Sequence, residues 1–328
     1  MIYYLNQLAD EIRREKLNFD ACTLTAVKFD NTTVQTDISG VLENGYFLFY
    51  GAAELVRSYM ETRHLTVVCL TLYYRQQSGT SYVENNTVLD VVLYTPENFL
   101  KHYALSADVM LSNKFLTEKN HAAVFTGGMF HLYYYNTAND VTYTLAYTKR
   151  TGEVETTQYE AARSGVSAIF IPYRPDCSMV SITMDTRRFV IYFIDAPAAI
   201  QFAFRNMFNV LEYISIPGTL TSSPSTEFET ATQNHRSMHY DIEHRTAFTL
   251  KTAALPLAMY DSLLQVCRAR SVLTPLAYTS GGATFSTMQE ITVTKYQFDR
   301  STAPDTPVTL EMEYEYADSG LGDIHVIE

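Results

Sequence analysis

The chain has no tryptophan, although 25 tyrosines and 18 phenylalanines stand among its 328 residues. Trp offers the largest apolar face for stacking on a sugar ring, so its absence weighs against a carbohydrate platform. Charge is scarce as well: 18% of residues are Asp, Glu, Lys or Arg, against about 25% in an average domain. The net charge is −12, and basic residues gather in nothing larger than pairs such as Arg187–Arg188. Nucleic-acid binding needs a concentrated positive footprint, which this composition does not supply. Four cysteines (Cys22, Cys69, Cys177, Cys267) lie far apart with no CxxC pair, so reduced thiols are expected and no metal-ligand spacing exists. No apolar run approaches the ~20 residues of a membrane-spanning helix. The opening stretch lacks a basic segment, and Asp10 and Glu11 break its apolar run. No signal peptide is therefore expected, and the Asn-x-Thr sites at Asn31 and Asn85 carry no weight.

What is present is β pattern. At 328 residues, two or three domains are expected, and 47% hydrophobic content is enough to fill their cores. Residues 1–118 read as an N-terminal β-rich domain. Leu5–Leu17 begins as a short helix, with Leu5, Leu8 and Ile12 at helical spacing, and strands follow at Ala21–Phe29, Thr33–Ile38 and Tyr46–Tyr50. A second helix over Gly51–Glu61 buries Leu55, Tyr59 and Met60, and strands Leu65–Arg75 and Val88–Tyr94 flank a polar loop, Gln76–Asn86. Thr95 and Pro96 open a third short helix to about Tyr103.

Residues 119–198 carry seven short apolar runs: Ala122–Phe125, Phe130–Tyr135, Val141–Thr148, Glu153–Tyr159, Val166–Ile171, Ser178–Met184 and Phe189–Ile194. Turn signals separate them at roughly 8–12-residue spacing, the pattern of a β-sandwich. Pro197-Ala198-Ala199 reads as a hinge into a C-terminal β domain, 199–317. Its strands are expected at Gln201–Arg205, Val210–Ile216, Ser225–Ala231, His239–Lys251, Ile291–Phe298 and Val308–Tyr316, with a turn-rich segment from Pro217 to Pro224. One helix, 257–271, presents Met259, Leu263, Val266 and Arg270, with Tyr260, Leu264 and Cys267 beside them. In the long strand, Tyr240, Ile242, His244, Phe248 and Leu250 share one face, and Asp241, Glu243, Arg245, Thr249 and Lys251 the other. Residues 318–328 form an acidic tail. The expected fold class is mainly β: multi-domain β-sandwich or β-barrel units with a few short helices.

The chemistry-bearing residues form no catalytic motif. His235 and His239 are four apart with His244 nearby, but Arg236, Ser237 and Met238 stand between them instead of a metalloprotease carboxylate. Glu311, Glu313 and Glu315 line one strand face at about 7 Å spacing, on what reads as a solvated edge and not two sides of a cleft. The Gly127-Gly128 and Gly281-Gly282 pairs lack a following Lys-Ser, and no Gly-x-Ser-x-Gly elbow occurs. Tyr133-Tyr134-Tyr135 offers an aromatic run, of which alternate rings must be core. No catalytic, cofactor-binding or metal-ligating residue is assigned, and no cofactor is expected.

Several strings nevertheless resemble a known group. Phe-Arg-Asn-x-Phe-Asn (Phe204–Asn209) is followed by Glu-Tyr-Ile, a Pro-Gly-Thr turn and Thr-Glu-x-Glu-Thr-Ala (Thr226–Ala231). His239–Asp241, Leu250–Pro256, Leu55–Leu65 and Asn113–Thr117 add to the set. Together they resemble tail proteins of phages and prophages of Bacteroidetes bacteria. The resemblance implies a ring-forming structural protein of the distal tail or baseplate hub, with Phe204, Phe208, Tyr240 and Phe248 as core and Leu263 and Val266 as helix packing. It implies a homo-oligomer, six-fold by expectation, joined to tail tube, tape measure and tip proteins, made in the host bacterial cytoplasm and carried in the virion tail. Two other classes stay open: a β-sandwich glycan-binding module around Tyr133–Tyr135, and a tail-associated hydrolase.

Overall fold

The computed structural model describes residues 2–5, 8, 12–95, 115–117, 119–136, 141–161, 165–197, 200–233, 236–255, 259–269, 271–280, 283–299 and 307–317. They are mainly β, with two helices among them. Three large sheets each back onto a separate apolar core.

In the first, Ala21–Phe29 (β3) alternates toward the core until a bulge between Leu24 and Ala26 shifts its phase. Cys22 and Leu24 are buried before the bulge, Ala26, Val27 and Phe29 after it. Val67–Ser78 (β7), Ser81–Leu93 (β8), Ile2–Tyr4 (β1) and Thr32–Ser39 (β4) complete a sheet ordered β1-β8-β7-β3-β4. A smaller sheet of Arg13–Glu15 (β2), Tyr46–Leu48 (β6) and Val41–Glu43 (β5) closes the other side. Gly40 is obligatory at that join, because a Cβ there would sit 2.8 Å from Phe47 Cβ. Ala52–Thr62 (α1) buries Ala52, Val56 and Met60. Leu55 and Tyr59 flank that stripe instead of forming it, and Tyr59 stacks on Phe29 at 3.8 Å.

Two expectations are corrected in this unit. The helix expected to begin Leu5–Leu17 holds only at its start: Leu8 is helical, the Ile12 N–H reaches the Leu8 carbonyl (2.9 Å), and Leu5, Leu8 and Ile12 are buried. Arg13–Glu15 instead pairs with β6, and Leu17 turns the chain at φ 45. The loop Gln76–Asn86 is a hairpin instead. Its ladder continues to Ser78↔Ser81 around Gly79 at φ 58, and polar cross-strand contacts such as Asn85 to Gln76 (3.2 Å) replace apolar ones. The helix expected after Thr95 lies outside the described residues.

The sandwich has seven strands: His121–Thr126 (β9), Met129–Asn136 (β10), Thr142–Lys149 (β11), Val154–Glu160 (β12), Gly165–Pro172 (β13), Cys177–Met184 (β14) and Arg187–Pro197 (β15). They divide into a β10-β13 pair facing a sheet ordered β12-β11-β14-β15-β9. Leu132, Tyr134, Ile169, Ile171, Val180, Ile182, Phe189 and Ile191 fill the space between. The expected hinge is a continuation of β15 as far as Pro197, and Ala198 and Ala199 lie outside the described residues.

The third sheet has seven strands, ordered β17-β16-β20-β21-β22-β19-β18. They are Ile200–Arg205 (β16), Leu211–Ile216 (β17), Gly218–Gln233 (β18), Arg236–Thr252 (β19), Val272–Ser280 (β20), Ala283–Asp299 (β21) and Thr309–Tyr316 (β22). Tyr260–Arg268 (α2) lays Leu263, Val266 and Cys267 onto its core, and Arg270 lies outside the described residues. The segment expected as turn, Pro217 to Pro224, is strand from Gly218 onward, and Pro217 alone separates it from β17. Pro224 lies opposite Thr246 on the sheet's outermost strand, where a missing N–H costs no ladder bond. Nor is β22 an edge: it lies between β21 and β19, and its glutamates are cross-strand partners, Glu311 with Lys251 (3.0 Å) and Glu313 with Lys295 (3.3 Å).

Candidate functional site at the junction of the cores

The site grows from the short connection between β16 and β17. Asn206 accepts the Phe208 N–H on its own Oδ1 (2.9 Å), and its backbone N–H reaches the Val210 carbonyl (3.0 Å). Asn209 takes the left-handed conformation at φ 61, which Asn tolerates better than other side-chain-bearing residues. Arg205 then donates to the Asn209 carbonyl at 2.9 Å. The result is a rigid knuckle whose side chains point into all three units.

Asn209 Nδ2 donates to the carbonyls of Met60 (3.3 Å) and Leu65 (3.1 Å), at the end of α1. Asn206 Nδ2 donates to Leu116 O (2.7 Å) and Glu212 Oε2 (3.2 Å). Phe208 and Val210 pack with Leu93 of the first unit and Leu116, and Tyr133 and Tyr135 of the sandwich lean on the same cluster. Glu212 also takes Lys119 Nζ at 2.7 Å, with both side chains more than nine-tenths buried, and Lys119 sits over the Phe204 ring. Arg187 gathers the carbonyls of Phe115 (3.2 Å), Thr117 (2.7 Å) and Lys119 (2.7 Å). Burial pushes the Arg187 guanidinium down to about 10, still charged at neutral pH.

Beside the ion pair a cleft of about 480 Å³ opens between β9, β15, β17 and α2. Its walls are mostly apolar, and Ser178, Ser262 and His121 add polar atoms. A second cleft of about 470 Å³ brings Phe248, Tyr314 and Tyr316 beside Thr126, Gln201, Ser215 and Thr274.

Sequence-marked residues are scattered by comparison. Phe204, Leu263 and Val266 are buried in the third core; Phe248 is half-buried there, stacked on Tyr314 at 5.1 Å. Phe208 is buried in the junction cluster, and the Tyr240 side chain lies outside the described residues. Tyr134 is core, while Tyr133 and Tyr135 are half-buried on the junction, so this run offers no exposed aromatic platform. His239 and His244 lie opposite Thr230 and Thr226 on the β18–β19 hairpin, and His235 is outside the described residues. No group of three or more His, Cys, Asp or Glu is placed to hold a metal among the described residues. Neither is any described helix long and apolar enough to cross a membrane. Lys119, Glu212 and Arg187 carry no sequence signal as a group, since their contacts join positions far apart in the chain. Asn206 and Asn209 had one: two Asn bracketing a tight connection between apolar strands. No family model matches the chain, and no curated protein matches it.

Proposed function

We propose that this chain is a structural component of a phage or phage-derived tail, a ring-forming distal tail or tail-tip protein. In this reading it links the tail tube to the tip or receptor-binding parts, as a homo-oligomer that is six-fold by expectation. The observation that carries it is the way β22 stops short. Its ladder ends at Tyr316, with one further bond from Ala317 N–H to Glu290 O, 3.0 Å. The strands on both sides run on in the same direction: β19 from Thr246 back to Arg236, and β21 from Gln289 back to Ala283. Among the described residues no strand pairs with their inner edges there. Two-stranded ribbons of this kind are marginal alone, and open ladder edges invite another chain. Closure into a ring satisfies such edges without open-ended growth. The resemblance in Phe204–Asn209 and the later strings supports a tail assembly, and the knuckle gives that string a structural role.

The test is to shorten the β18–β19 hairpin by deleting residues 228–242 and joining the strands with a two-residue turn. Light scattering after gel filtration should report a multimer for the parent chain and a monomer for the shortened one. A parent chain that stays monomeric at high concentration would count against the reading. A glycan-binding module is the second reading, favoured by the half-polar cleft at Phe248 and Tyr316, where ring faces meet hydroxyl and amide groups. Saturable binding in a glycan screen, lost in Tyr316→Ala, would move it to first place.

A further inference from the structure

The cleft beside the ion pair has the makings of a small-molecule site. Its volume of about 480 Å³ falls within the roughly 300–1,000 Å³ of ligand pockets. Two small residues of β9, Ala122 and Ala123, line it ahead of the buried Val124 and Phe125. Phe193, Ile194, Ile214 and Met259 supply the rest of the apolar wall.

Its polar wall centres on the Lys119–Glu212 pair, which lines the cleft while remaining buried, with His121, Ser178 and Ser262 elsewhere on the lining. The pair is already neutral as a unit. An ammonium has three donors and a carboxylate about four acceptor positions. Lys119 Nζ gives one bond to Glu212 Oε1, and Glu212 Oε2 receives Asn206 Nδ2. Donor and acceptor capacity therefore stand side by side at one spot. A head group that both donates and accepts, a hydroxyl or a primary carboxamide, matches that spot. An ionic head would lose its hydration beside a pair that holds no net countercharge.

We propose that this cleft binds an uncharged amphiphile, with its hydroxyl or carboxamide head on the Lys119–Glu212 pair and its apolar body along Ala122, Ala123 and Ile214. The site is independent of ring formation, since it lies within one chain.

The test titrates the full chain with octan-1-ol, octanamide, octanoate and octylammonium, read by calorimetry. One saturable site is expected for the two neutral probes, at least about tenfold tighter than for either ion. Ala123→Leu, which fills the cleft, should abolish that site while circular dichroism and melting temperature stay at parental values. Should that variant fail to fold, competition decides: octanamide must displace octan-1-ol from the parent chain. Absence of saturable binding by the neutral probes, equal affinity for octanoate, unchanged binding in a folded Ala123→Leu chain, or failure to compete would each overturn the proposal.

Discussion

Lys119 and Glu212 are 93 positions apart, and their Nζ and Oε1 atoms meet at 2.7 Å with both side chains buried. The pair fastens the entry to the sandwich onto β17 of the third sheet. Removing one partner strands the other charge in a poor solvent, whereas removing both does not. Lys119→Met should therefore cost about 3–5 kcal/mol. Lys119→Met with Glu212→Leu should recover most of that loss, short of the contribution from Asn206 to Glu212. Urea denaturation of the two variants checks the order.

Asn209 ties the knuckle to the end of α1 and holds a left-handed backbone at the same time. Asn209→Gly keeps the backbone and loses the two side-chain bonds, each worth about 1 kcal/mol. Asn209→Ala loses both and adds strain of about 1–2 kcal/mol. Thermal denaturation should rank the parent above Gly, and Gly above Ala. A reversed order of the two variants would mean that the backbone conformation carries no weight there.

The reach of the sequence ended where contacts became non-local. The pattern of short runs between turn signals located all seven sandwich strands within three residues at each end, including β12, which is exposed along its whole length. It missed β20, whose Thr274, Pro275 and Tyr278 break an apolar run and whose pairing with β21 supplies the order. It also misread Gln76–Asn86 and Pro217–Pro224 as loop and turn, since a polar ladder has no hydrophobic period to detect. Asn206 and Asn209 were visible as residues of a familiar string, but their role depends on carbonyls of Met60, Leu65 and Leu116 that only the fold brings near.

His131 packs between Tyr213 (4.5 Å) and Phe170 (4.7 Å), with Tyr133 beside it, and burial holds its pKa below 6.5. The unfolded chain takes up this proton near 6.5, and the folded chain only at lower pH. The neutral ring thus contributes stability in full above 6.5, and that contribution fades as pH falls below it. Melting temperatures from pH 7.5 down to 5 should drop less steeply for His131→Phe than for the parent.

Burial keeps three thiols protonated. It pushes Cys22 up to about 11, Cys267 up to about 12, and raises Cys177 as well. At pH 8 iodoacetamide should label half-buried Cys69 first and leave the other three until the chain is denatured. The same shifts act on stability at alkaline pH. Their contribution is complete below 9.0, the value for an open thiol, and is lost as pH rises toward 11–12.

The central claim is assembly, and mass with symmetry measures it most directly. Native mass spectrometry of the full chain, with negative-stain imaging of the same sample, should give closed rings of six-fold or three-fold symmetry and no open-ended chains. The inner edges of β19 and β21 beyond Tyr316, which no strand pairs with among the described residues, should then be protected from amide exchange in the ring. A strict monomer at high concentration, with rapid exchange along Arg236–Thr246 and Ala283–Gln289, would contradict the account.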